Sequence, residues 1–78
     1  MQNKLLKLAD KYRTETGRAD GVVLIFNGLV YGWKNKLRDP QCEQPGAIAV
    51  DENGKQWIAT GGDSYSGAVR WECSNKAA

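Results

Sequence analysis

The alternation of apolar and polar positions divides the chain into one helical stretch and several strand-like ones. Between residues 3 and 16, Leu5, Leu8, Ala9, Tyr12 and Thr16 recur at helical spacing and share one face, with Lys4, Lys7 and Lys11 on the neighbouring face. Asn3 is placed to cap the start, and Gly17 stands where a left-handed residue ends a helix. The spacing predicts an amphipathic helix that lays its apolar side on a sheet and leaves its lysines in water.

The period then changes. Val22 to Phe26 and Leu29 to Trp33 are two apolar runs separated by Asn27-Gly28, the preferred pair for a two-residue hairpin turn because both central residues need positive φ. A regular hairpin pairs Phe26 with Leu29, Ile25 with Val30, Leu24 with Tyr31, Val23 with Gly32 and Val22 with Trp33. One face then carries Phe26, Leu29, Leu24, Tyr31, Val22 and Trp33, and the other carries Ile25, Val30, Val23 and Gly32. Both faces are apolar, and one helix covers only one of them. The second face requires a curled sheet, a second copy of the chain, or a target protein.

Residues 34–46, polar and holding both prolines, read as a loop between hairpins. Strands follow at about 47–50 and 55–60, joined by the Asp51-Glu52-Asn53-Gly54 turn. Gly61 to Gly67 reads as a flexible link that exposes Tyr65. Residues 68–73 alternate at period two, which points Val69, Trp71 and Cys73 inward and Arg70 and Glu72 outward. The tail from Ser74 to Ala78 is expected to fray. The sum is one α+β domain spanning 1–78: an N-terminal amphipathic helix on a twisted antiparallel sheet of four to five strands, in the order α-β-β-β-β-β.

Size and charge narrow the function classes. A chain of 78 residues buries about 60% of the surface its unfolded form exposes, which leaves little for a deep substrate cavity. No apolar run approaches the roughly 20 residues that span a bilayer, and charges at Lys4, Lys7 and Asp10 interrupt any signal-peptide core. A cytoplasmic protein without membrane association is expected. The net charge of +2 is too small to demand a polyanionic partner. Cys42 and Cys73 are two thiols with no histidine beside them, so they do not complete a zinc site; free thiols are expected, with a Cys42–Cys73 disulfide as the alternative.

Chemistry has little to stand on. Without histidine there is no Ser-His or Cys-His nucleophile pair. Ser64 and Ser66 lack a strand–Ser–helix context, the Gly61–Gly67 stretch lacks a Walker lysine, and the Asp51-Glu52-Asn53 turn is too short for a calcium loop. No enzyme activity, cofactor or metal is expected. The segment from Asp51 to Gly62 resembles one strand-turn-strand element of the β-propeller repeats of bacterial sensor domains, on Asp51, Gly54, Trp57, Thr60 and Gly62. A propeller needs several four-stranded blades, and this chain has room for one, so the resemblance implies a hairpin and no function.

What is left is surface. Trp33, Lys34, Lys36 and Arg38 mix an aromatic ring with cations, and Tyr65 stands apart in its glycine-flanked loop; these five are the candidate partner-binding residues. The favoured reading is a non-enzymatic protein-binding module, an adaptor or an inhibitor of a larger complex. In style it resembles the accessory proteins of phages, plasmids and gene cassettes, anti-CRISPR inhibitors among them. The alternative is a small nucleic-acid-binding domain that stacks bases on Trp33 and pairs phosphates with Lys34, Lys36 and Arg38. A homodimer is a further candidate partnership.

Overall fold

The computed structural model describes residues 4–73. The expected cap Asn3 and the tail from Ser74 lie outside them. Helix α1 (Lys4–Thr16) is followed by β1 (Val22–Phe26), β2 (Leu29–Lys34), a short 3-10 helix (Pro40–Cys42), β3 (Ile48–Val50), β4 (Gln56–Thr60) and β5 (Arg70–Cys73). The strands form one sheet in the order β2-β1-β3-β4-β5, every neighbouring pair antiparallel. The α-β-β-β-β-β architecture holds. None of the described helices is long and apolar enough to cross a membrane.

Helix α1 forms for the expected reason. Leu5, Leu6, Leu8, Ala9 and Tyr12 fall on one side and pack on Val23, Ile25 and Val50 of the sheet. Thr16, expected on that face, is exposed, and its hydroxyl donates to the Tyr12 carbonyl at 2.8 Å. Gly17, at φ 75°, ends the helix, and the Gly17 and Arg18 N–H groups both return to the Arg13 carbonyl. The Arg13 guanidinium then closes the joint. It donates to the carbonyls of Asp20 at 2.7 Å, Gly21 at 2.9 Å and Val50 at 3.1 Å, tying the helix end to the start of β1 and to β3.

The β1–β2 hairpin turns at Asn27-Gly28 with φ of 61° and 80°, as the dipeptide demands. Its register is not regular. Phe26–Leu29 and Ile25–Val30 pair as expected, but Leu24 then faces Gly32, Val23 faces Trp33 and Val22 faces Lys34. Tyr31 is the extra residue of a β-bulge. One inserted residue exchanges the faces of everything after it. Trp33 therefore joins Val23, Ile25 and Val30 under the helix, and Lys34 turns to the opposite face. The Trp33 indole N–H donates to the Asp20 carbonyl at 2.9 Å, and the Arg18 guanidinium lies 4.1 Å from the ring centroid.

The second apolar face is covered by the chain itself. Val22, Leu24 and Ala49 are buried there beneath Leu37, Trp57 and Trp71; Ala47, Ala59 and Ala68 are buried beside Phe26 and Trp71. Alanines stand where rings lie across the sheet, Ala49 opposite Trp57 and Ala59 opposite Trp71. The long connection from residue 35 to residue 46 does not skirt the sheet but folds back over this face. The Trp71 indole donates to the Arg38 carbonyl at 3.2 Å, the Ala68 N–H to the Glu43 carbonyl at 3.0 Å, and the Gly46 N–H to the Ala59 carbonyl at 2.9 Å. At the sheet's end, β5 starts only at Arg70. Val69 and Cys73, expected to point inward, are exposed, because β5 is an edge strand and the cover stops at Trp71. Cys42 and Cys73 are both free.

Candidate protein-interaction surface

The bulge sets up a polar contact on the covered face. Tyr31 and Lys34 both reach Glu43, which the 3-10 helix delivers from the far end of the connection. Glu43 is 7% exposed. One of its carboxylate oxygens accepts from the Tyr31 hydroxyl, and the other accepts from the Lys34 ammonium at 2.8 Å. Lys34's side chain is itself only 16% exposed. A buried carboxylate needs such partners, and here both oxygens are occupied.

The Tyr31 phenol is held well above its ordinary range, first by burial of its hydroxyl, then by the hydrogen bond to Glu43 and by that carboxylate's charge. The fold therefore favours the neutral phenol. Its contribution to stability is complete below the ordinary value of 10 and is lost as pH rises beyond it toward the higher folded value. Urea-unfolding stability is expected to drop less steeply above pH 10 in Tyr31→Phe than in the wild type. Parallel slopes in the two proteins would contradict this assignment.

Two grooves open beside Glu43. The larger, about 530 Å³, runs between the β1–β2 turn and the connection and is lined by Phe26, Asn27, Leu29, Val30, Tyr31, Cys42, Glu43, Gln44 and Ala47. The smaller, about 180 Å³, lies beyond the same ridge between Gln41–Gln44 and the loop of Ser64, Tyr65 and Gly67. Cys42, Glu43 and Gln44 line both. Around them stand large side chains in water: Leu29 at 70%, Tyr31 at 48% and Tyr65 at 96% exposure.

The Gly61–Gly67 loop is not a free link. The Asp63 carboxylate accepts from the N–H groups of Tyr65 at 3.1 Å and Ser66 at 2.7 Å, and Asp63 and Gly67 form an isolated β-bridge. Gly67, at φ 89°, presses against the Gln41 carbonyl so closely that an added Cβ would meet its oxygen at 1.9 Å. The loop is thus closed on itself and seated on the connection, with Tyr65 at its tip.

The five residues singled out in the sequence go to different places. Trp33 is half-buried on the helix side. Lys34 is spent on Glu43. Lys36 is exposed and lines a separate hollow with Gly21, Asp51, Glu52 and Trp57. Arg38 bonds to Asn35 and Asp39 close to Lys34, whose ammonium is 3.4 Å from the Arg38 carbonyl. Tyr65 projects from its loop at the smaller groove. Lys34 and Arg38 are brought together; Trp33 is parted from them by the sheet. Leu29 and Glu43, which join Tyr31 and Tyr65 at the two grooves, have no distinguishing signal in the sequence. A leucine beside a hairpin turn reads as strand, and a glutamate between Cys42 and Gln44 reads as solvated loop.

The arrangement offers exposed apolar and aromatic contact area. Among the described residues no group of three or more His, Cys, Asp or Glu stands close enough to hold a metal ion. Comparison with protein-family models, with curated proteins and with solved structures gives no match to this chain.

Proposed function

We propose that the chain is a non-enzymatic protein-binding module, an adaptor or an inhibitor of a larger complex, and that Leu29, Tyr31 and Tyr65 around the Cys42–Gln44 ridge are its contact surface. The observation that carries this reading is Tyr65. An aromatic side chain 96% in water, on a loop whose backbone is closed by Asp63 and seated against Gln41, leaves a partner only the side-chain rotamer to order and not the loop. Aromatic anchors dominate binding energies at protein interfaces. The grooves beside it supply apolar area, and Glu43, their one charged lining residue among the described residues, is neutralised internally by Lys34. Depletion of free charge is what separates the centre of an interface from ordinary surface.

The nucleic-acid reading has less to support it. Trp33 packs under the helix with Arg18 over its ring, and Lys34 is already paired, so of the basic-aromatic group Lys36 and Arg38 remain outside. The test runs both readings together. Capture from the native host, followed by titration of the purified partner, is expected to give an affinity that Tyr65→Ala lowers roughly tenfold or more at unchanged fold. Oligonucleotide titration at two salt concentrations is expected to show no binding. Affinity for oligonucleotides that falls steeply with salt would replace the protein reading. Partner binding indifferent to both Tyr65→Ala and Leu29→Lys would remove this surface from it. The neighbouring genes test the proposed setting in a phage, plasmid or gene cassette.

A further inference from the structure

The two edges of the sheet are not alike. β2 is interrupted by the bulge at Tyr31, whereas β5 pairs without a break from Trp57–Cys73 to Thr60–Arg70. Bulges, prolines and lysines protect an edge from further pairing, and Arg70–Cys73 has none of them. The backbone of β5 opens outward at Trp71. Ala59, opposite Trp71, donates its N–H to the Ala47 carbonyl at 2.9 Å and accepts from the Gly46 N–H at 2.9 Å, both at the start of β3. No ladder bond therefore joins Ala59 to Trp71, and the Trp71 N–H and C=O face away from β4. Arg70 and Glu72 flank Trp71 and share one face, the guanidinium 2.8 Å from the carboxylate, with side chains 61% and 49% exposed.

We propose that this edge pairs antiparallel with the same edge of a second copy, Trp71 opposite Trp71, so that the two five-stranded sheets join. Charge selects both the occupant and the register. With Trp71 on Trp71, each Trp71 N–H donates to the other's C=O, and Arg70 of each copy stands directly opposite Glu72 of the other. These flanking pairs carry no ladder bonds, so their side chains come closest there. A slip of two residues one way sets Glu72 against Glu72, and a slip the other way sets Arg70 against Arg70. A slip of one residue brings the outward Trp71 backbone against a residue whose own N–H and C=O face β4. A base and an acid placed evenly about an outward-facing residue thus make this strand complementary to its own reverse, under the two-fold symmetry commonest among soluble assemblies. The β5 edge is distinct from the Leu29, Tyr31 and Tyr65 surface, and the pairing does not depend on a partner there.

Sedimentation equilibrium of the full chain, from micromolar to millimolar, is the experiment. A reversible monomer–dimer equilibrium is expected, weakened roughly tenfold or more by Arg70→Glu and likewise by Glu72→Arg, since each reversal sets like charges opposite one another twice. Both positions are exposed, and unchanged urea midpoints are expected for both variants. Mixing the two variants is expected to restore the dimer, because the acidic pair of one chain then faces the basic pair of the other. The doubly reversed chain, Arg70→Glu with Glu72→Arg, is expected to dimerise as the wild type does. Hydrogen exchange at the Trp71 N–H is expected to slow as concentration rises, which a dimer through any other surface would not produce. A monomer throughout the range overturns the proposal, and so does a dimer indifferent to both reversals. A chain that stays monomeric while a protein captured from the host protects the Trp71 N–H assigns the edge to that protein and overturns the second copy. Loss of host-partner binding on Tyr65→Ala bears on the other surface alone.

Discussion

Glu43→Ala is expected to remove about 3 kcal/mol of stability, a large part of the total for a domain of this size. The substitution leaves the Lys34 ammonium, whose side chain is 16% exposed, without its carboxylate, and the Tyr31 hydroxyl without its acceptor. The cost lies toward the low end for a broken buried pair, because Lys34 retains some contact with water. Removing both charges tests the cause. Glu43→Leu combined with Lys34→Met is expected to recover most of the loss, since no charge is then left uncompensated. Tyr31→Phe alone deletes one hydrogen bond and is expected to cost about 1 kcal/mol. Urea unfolding of the four proteins reads all of this. A Glu43→Ala midpoint equal to that of the wild type would mean that the connection is held over the second face without the Glu43 carboxylate, by the packing of Leu37 and by the hydrogen bonds to Trp71, Ala68 and Ala59.

Gly67→Ala is the second large effect. At φ 89° an L-residue costs about 1–2 kcal/mol in backbone strain, and here the new Cβ also falls 1.9 Å from the Gln41 carbonyl oxygen. Backbone, unlike the end of a flexible side chain, does not yield cheaply. The Tyr65 loop and the 3-10 helix must therefore separate. Gly28→Ala is the control. Gly28 has φ 80° but nothing within 4 Å of an added Cβ, so that substitution carries the strain without the collision. Gly67→Ala is expected to be at least about 2 kcal/mol less stable than the wild type, and clearly less stable than Gly28→Ala. Faster hydrogen exchange at the Ala68 N–H, which donates to the Glu43 carbonyl at 3.0 Å, is expected to accompany it. Equal losses at the two glycines would show that the loop does not depend on its seat against Gln41.

Much of the fold was legible because it follows from neighbours along the chain. The 3.6-residue recurrence from Leu5 to Tyr12 identifies the helix, and Gly17 ends it with the left-handed turn expected of it. Asn27-Gly28 and Asp51–Gly54 locate both hairpins because few other residues satisfy their backbone angles at low cost. In the second turn the Asp51 carboxylate accepts from the N–H groups of Asn53 and Lys55, a bond pattern local to five residues.

The candidate surface was legible only in part. Tyr65 stood out because its glycine-flanked loop left it no inward neighbour. Residue type marks Trp33 and Lys34 as contact candidates, but one bulge decides where each side chain goes. Nothing in Leu29-Val30-Tyr31-Gly32-Trp33 announces that Tyr31 is the extra residue. The bulge is stabilised by contacts distant in sequence, Trp33 on Val23 and Ile25 under the helix and Tyr31 and Lys34 on Glu43.

The same distinction separates what the sequence determined by itself from what only the tertiary structure decided. Local periodicity and turn chemistry set the helix, the strands, their order along the chain and the existence of a second apolar face that one helix leaves bare. Which segment covers that face was a contest between residues far apart, and the 35–46 connection covers it through Leu37, Glu43 and its bonds to Trp71 and Ala68. Hydrophobic burial is non-directional, so an apolar pattern states that a face will be covered without naming the cover. The bulge, the burial of Glu43 and the seat of the Tyr65 loop supply that name, and each depends on a contact that exists only once the chain has folded.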